Sequence, residues 1–172
     1  MNQQAQTNGP VQTTPARITI DMWTDGACSG NPGAGGWAAI LKMGAHEKEL
    51  SGRLENTTNN LAELMAVLKG LQVIKTSATV LIHTDSRLVV GWLRDNWRRK
   101  DTECGALSAA IERAITAKTL TVEWVEVKGH SGDKMNERCD KLATKEAQAQ
   151  RITQIQNAVT YDSEPSIMEL PY

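Results

Sequence analysis

Residues 57–86 constrain the fold most tightly. Leu61, Leu64, Met65, Leu68 and Leu71 form a helical stripe, and the chain then enters TVLIHT at 79–84, apolar at consecutive positions. A strand of that kind is covered on both faces, so it belongs in the middle of a sheet with helices packed on it. Upstream, Ile18, Ile20 and Met22 alternate with Thr19, Asp21 and Trp23 in a first strand. The turn-rich GACSGNPGAGG spans residues 26–36, and a second strand follows over 37–43, WAAILKM. After the Gly44–Ala45 pair a third strand covers 47–54. Such short connections predict three consecutive antiparallel strands. Strand, helix, strand is a crossover, which makes the first and fourth strands parallel.

The remaining pattern continues in α/β fashion. Helices are predicted over 86–97 and 104–117, the second with Leu107, Ile111, Ala114 and Ile115 on one side. A fifth strand, TLTVEWVEV, covers 119–127, and the loop KGHSGDKM leads into a last helix from Asn136 that runs through Ile152 and Ile155. Asn60 with Glu63 three residues later matches a capping box for the helix after the third strand. No repeat is present.

The 172 residues suit one domain with a real core. Residues 1–16 are Gln, Asn, Thr and Pro with little to bury and read as a disordered tail; 17–147 form the domain, and 148–172 a helical extension and tail. The formal net charge of −1 argues against a uniformly basic nucleic-acid binder, though it leaves room for a local patch. The three cysteines, Cys28, Cys104 and Cys139, fit neither a disulfide framework nor a zinc knuckle. No apolar run approaches the roughly 18 residues of a membrane span, and the N-terminus lacks a signal pattern. A cytoplasmic protein without membrane contact is expected, and nothing calls for a second copy, so a monomer is expected too.

Four acids stand where chemistry is possible, and each also has an ordinary explanation. Asp85 closes the fourth strand, at the carboxyl end where α/β sheets form ligand crevices, or it caps the next helix. Asp25 ends the first strand or is a turn residue. Glu63 belongs to the capping box or to a site, and Asp140 faces water from the last helix or reaches the same edge. If the first and fourth strands are neighbours, Asp25 and Asp85 project near one another. Clustered carboxylates raise one another's pKa, and a hard divalent cation relieves that penalty, magnesium or manganese being suited to oxygen ligands. His130 in the GHSG loop is a surface residue or, beside such a site, a proton shuttle.

Four stretches together carry a family likeness: TDGACSGNPGAGGWAAIL at 24–41, TTNNLAELMAVLKGL at 57–71, HTDS at 83–86 and VKGHSGDKMNERCDKLA at 127–143. In that order they resemble type 1 ribonuclease H of the bacterial ribonuclease HI kind. The resemblance implies an RNase H-like fold, a mixed five-stranded sheet of order 3-2-1-4-5 flanked by helices. It implies two-metal, Mg2+-dependent endonucleolytic hydrolysis of the RNA strand of RNA/DNA hybrids, with Mn2+ as a substitute, leaving 5′-phosphate and 3′-hydroxyl ends. It makes Asp25, Glu63, Asp85 and Asp140 metal-binding carboxylates and His130 the mobile-loop histidine; Glu137 matches a further acid.

For substrate, the resemblance implies hybrid contacts by Gly26, Cys28, Asn31, Thr58, Asn59 and Asn60. Cys28 also reads as a small buried turn residue. Between Asp85 and His130 the chain is shorter than the family's Trp- and Lys-rich handle. It keeps Trp92 and Trp97, with Arg94, Arg98, Arg99 and Lys100, and residues 86–118 hold seven Lys/Arg against four Asp/Glu. These are read as DNA-strand contacts, against a solvated helix end with a Trp packed on the core. The closing IMELPY offers either a docking segment for a protein partner or a tail on its own domain. An inactive hybrid-binding module and a DNA-cutting, integrase-like enzyme on the same fold are the alternatives. The four acids and the TTNN and GNPG pieces favour the ribonuclease.

Overall fold

The computed structural model describes residues 18–98, 102–129 and 132–162. The strands are β1 (Thr19–Gly30), β2 (Gly33–Met43), β3 (His46–Thr57), β4 (Thr79–Thr84) and β5 (Thr121–Glu126). They form one five-stranded sheet of order β3-β2-β1-β4-β5. β1 pairs antiparallel with β2 and β2 with β3, while β1–β4 and β4–β5 are parallel. This is the RNase H-like α/β arrangement expected from the sequence.

The helices are α1 (Asn59–Gln72), α2 (Arg87–Leu93), α3 (Thr102–Ala117) and α4 (Lys134–Asp162). Met22, Leu64, Leu71, Ile82 and Ile111 are fully buried in a core that α1, α2 and α3 share with the sheet. Burying each such side chain contributes about 1.5–3 kcal/mol. Alternation along β2 sends Ala39 and Leu41 into that core, and leaves Ala38 and Ile40 buried outside it. α4 packs on β1 and β2, and Cys139 Sγ donates to the Trp23 carbonyl at 3.3 Å. Lys118 ties α3 to the end of α1, its Nζ donating to the carbonyls of Leu71, Gln72 and Ile74. A cation is favoured at that negative end of the helix dipole.

Several local expectations are corrected. Most of the segment 26–36 is strand: β1 continues to Gly30 and β2 starts at Gly33, leaving Asn31 and Pro32 as the turn. Its glycines serve close packing as well as turning. A Cβ on Gly36 would stand 2.2 Å from the Ala143 carbonyl oxygen, and one on Gly35 2.2 Å from Thr57 Cγ2. Asn60 caps nothing; Thr58 is the N-cap of α1, its Oγ1 accepting from the Leu61 N–H at 3.4 Å. Asp85 is likewise not a cap, because Ser86 holds that position before α2, without a side-chain cap bond. The helix predicted over 86–97 ends at Leu93, and the Trp97 N–H turns back to the Gly91 carbonyl at 2.9 Å. α4 starts at Lys134, two residues earlier than Asn136, since Asp133 Oδ1 accepts from the N–H groups of Met135 and Asn136.

Two glycine substitutions should move stability in opposite directions. Gly36→Ala forces α4 away from β2 and should cost about 1–3 kcal/mol or more. Gly105 lies inside α3, and a Cβ added to it would meet nothing within 4 Å. Gly105→Ala should therefore stabilise by about 0.5–1 kcal/mol through helix propensity. Urea unfolding midpoints of the two variants check both signs.

Candidate active site

The parallel pairing of β1 and β4 carries both chains to the same sheet edge, where Asp25 lies in β1 and Asp85 just follows β4. Glu63 joins them from the first turns of α1. It can do so because Gly26 lets the strand backbone press on the helix: a Cβ there would lie 2.3 Å from the Glu63 nitrogen. Oxygens of Asp25, Glu63 and Asp85 all lie within 4.8 Å of one another. Among the described residues this is the one group of three or more such side chains able to hold a metal ion.

The cluster lines a cleft of about 190 Å³ together with Gly26, Asn59, Asn136, Glu137 and Asp140. Asp140, on α4, thus shares the cleft but stands outside the three-oxygen group; its Oδ1 accepts from Thr144 Oγ1 at 3.4 Å. Its charge still raises the pKa of both Asp25 and Glu63. Two mainly apolar cavities lie elsewhere, one around Ile18 and Met43, the other between Leu54 and Leu107.

Electrostatics suit the cleft to a cation. Burial, then the negative charge of Asp85, pushes Asp25 up to about 7 despite the Gly26 N–H, which donates to its Oδ1 at 2.7 Å. Burial also lifts Glu63 well above the usual carboxylate range, with Asp25 and Asp85 adding to the shift. Glu63 Oε2 is buried and has no hydrogen-bond partner. Buried polar atoms are normally satisfied, so an orphaned carboxylate oxygen facing two other acids fits a metal ligand. A hard divalent ion bound by oxygens meets that need. The donor set is thus able to coordinate a divalent metal.

The other expected site residues scatter. Asn31 Oδ1 accepts from the Asn59 N–H at 3.2 Å, joining the β1–β2 turn to the start of α1 beside the cleft. Asn60 is in the first turn of α1 and half-buried, not part of the cleft lining. Cys28 is half-buried in strand rather than buried in a turn, its Sγ donating to the Thr57 carbonyl at 3.1 Å. Trp92 is only 8% exposed and packs in the core, so its ring serves packing rather than nucleic acid. Trp97 is 48% exposed and lies against Gly91, and Arg98 is exposed next to it. His130, Arg99 and Lys100 lie outside the described residues. Asn136 was missed by sequence reasoning; an Asn at a helix start is too common to stand out, and its proximity to Asp85 exists only in three dimensions.

A sequence model of the RNase H family matches residues 18–148. The chain is 45% identical over 134 residues to the ribonuclease H of Acidiphilium cryptum, covering 73% of this chain and 84% of that protein. It is 44% identical over 140 residues to the ribonuclease H of Novosphingobium aromaticivorans, covering 76% and 97% respectively. Among solved structures, it matches the N-terminal RNase H domain of a Mycobacterium tuberculosis protein, solved as a fusion with maltose-binding protein. That match has a TM-score of 0.66 at 25% identity and covers 80% of this chain and 99% of that one.

The raised carboxylates set the sign of a pH effect. A folded-state pKa above the unfolded one gives stability that is present below the unfolded value and lost as pH rises through the folded value. For Asp25 that window runs from 3.8 to about 7, and Glu63 contributes with the same sign. In EDTA, Glu63→Gln should therefore gain stability relative to wild type as pH rises from about 4 to neutrality. Magnesium at pH 8 should selectively stabilise wild type. Urea unfolding across pH checks this; a stability difference that stays flat would contradict it.

Proposed function

The chain belongs to the RNase H family and is a hydrolase, and from that premise we propose that it cleaves the RNA strand of RNA/DNA hybrids endonucleolytically. The observation that carries the reading is the buried meeting of Asp25, Glu63 and Asp85, with Glu63 Oε2 unpartnered. Those three acids, with Asp140 in the same cleft, would hold divalent cations, magnesium by preference with manganese as a substitute. Bound there, such ions make water a stronger acid and neutralise charge on a phosphodiester.

The protein's own groups account for the rest. A water oxygen gives up a proton and bonds to phosphorus, the P–O3′ bond breaks, and the departing 3′ oxygen takes up a proton. The products carry a 5′-phosphate and a 3′-hydroxyl. His130 is the proposed proton carrier, helping to activate water or release product. The cleft excludes bulk solvent around Glu63 and keeps the acids in place before substrate arrives.

The hybrid is read on the surface around Asn31, Thr58, Asn59 and Asn60, with Cys28 and the Gly26 backbone. Only RNA offers a 2′-hydroxyl, and short side chains with close backbone suit a wide, shallow groove. Trp97 and Arg98, with Arg99 and Lys100, take the DNA strand, the ring by stacking and the cations by phosphate attraction. Arg94 is committed elsewhere, pairing with Asp95 at 2.7 Å and Glu126 at 2.8 Å.

A hybrid labelled differently on each strand tests the activity, with RNA duplex, DNA duplex and single strands as controls. Only the hybrid's RNA strand should be lost. Asp85→Asn should reduce the rate beyond the roughly 10–100-fold typical of residues supporting a metal ligand. Intact RNA with folded protein and either ion would sink the proposal, and cut duplex DNA would redirect it to a DNA nuclease. Separately, Arg98→Ala should weaken hybrid binding and lower the salt slope by about one released counterion.

A further inference from the structure

Asn136 is a buried polar residue of the cleft to which the mechanism above gives no task. It is in the first turn of α4, 3% exposed, and lines the cleft beside Glu137 and Asp140. Its Nδ2 donates to Asp85 Oδ2 at 3.3 Å. The hydrogen bond fixes the orientation of the amide: Asp85 Oδ2 is the acceptor, so the amide nitrogen faces it. The other end, Oδ1, is buried and has no partner.

Three features make this a built arrangement. Asp133 Oδ1 accepts from the Asn136 backbone N–H at 3.0 Å and from the Met135 N–H at 2.9 Å, so the start of the helix is pinned. Gly129 approaches the same Asp85 oxygen from the first half of the β5–α4 connection: a Cβ on Gly129 would lie 2.7 Å from Oδ2. Finally, Asn136 is neutral. A carboxylate at that position would add negative charge to a cleft that already holds Asp25, Glu63, Asp85, Glu137 and Asp140. A neutral amide orients Asp85 without competing for a cation.

We infer that Asn136 is a positioning residue for the reaction: Nδ2 holds the Asp85 carboxylate in the three-oxygen cluster. The inference rests on the metal-dependent reading above. Groups that orient ligands from outside the coordination sphere tune metal affinity through ligand geometry, and Asn136 contacts the ligand residue rather than the reacting atoms.

The test uses Asn136→Ala and Asn136→Asp in the full chain, with manganese alone titrated into the protein in the absence of nucleic acid. Free manganese is followed by its EPR signal. Asn136→Ala should bind manganese about tenfold more weakly and lose a similar factor in kcat, with KM for the hybrid changed less than about twofold. Its unfolding midpoint in EDTA should match wild type. Asn136→Asp, nearly isosteric, should lose more, because it exchanges a donor for a like charge; if the alanine variant fails to fold, this variant decides. Unchanged manganese affinity and kcat would overturn the inference. So would losses that follow a lowered midpoint in EDTA, which would mean packing alone. Wild type that binds no manganese would remove the metal reading itself, whereas equal binding by wild type and variant removes only the role of Asn136.

Discussion

The close approach of β1 to α1 at Gly26 is the constraint on which the site depends. With no side chain there, the strand backbone packs against Ala62 and Glu63. The helix then delivers Glu63 beside Asp25 instead of out to solvent, where a helical carboxylate would ordinarily sit. Parallel pairing of β1 with β4 adds Asp85 from the neighbouring strand. One missing methyl group and one pairing thus bring together three acids spaced across sixty residues of chain.

That convergence works against folding. Burial and mutual repulsion raise the pKa of both Asp25 and Glu63. The rest of the molecule holds the acids in place by ordinary means. Fully buried apolar side chains fill the core behind them, Lys118 closes the far end of α1, and Thr58 caps its beginning. The helix that carries Glu63 is therefore secured at both ends, leaving the acid little freedom to retreat from its neighbours.

Much of this was legible in the sequence, for identifiable reasons. Short connections and the consecutively apolar TVLIHT fixed three antiparallel strands, a crossover and a central position for β4. The acids could be proposed as a group because strand ends converge in a parallel pairing, and the quoted stretches resembled a known family. The errors arose where one residue type serves two purposes. Gly35 and Gly36 looked like turn residues and instead clear space for Thr57 and α4. Asn60 and Glu63 fit a capping pattern, yet Thr58, two positions before Asn60, is the residue that precedes the helix and takes the role. Trp92 looked like a binding aromatic because sequence does not tell which side of a short helix will face the core. Asn136 was invisible because its importance lies in what it touches across the fold.

Polar contacts between α4 and β3 recur with a shared spacing. Arg138 pairs with Glu47 and Glu49, Glu146 with Ser51 and Arg53, and Gln154 with the Glu55 carbonyl. Successive helix members are eight residues apart, and their strand partners advance by about four. Eight helical residues and four strand residues cover nearly the same distance, about 12 and 13 Å. Exposed pairs of this kind add little stability individually, but together they work as a vernier. Sliding the helix by one residue would misalign every mark at once. Asp140 is thus metered along the body of its helix, and the connection leading into that helix is relieved of the task of fixing its height at the cleft.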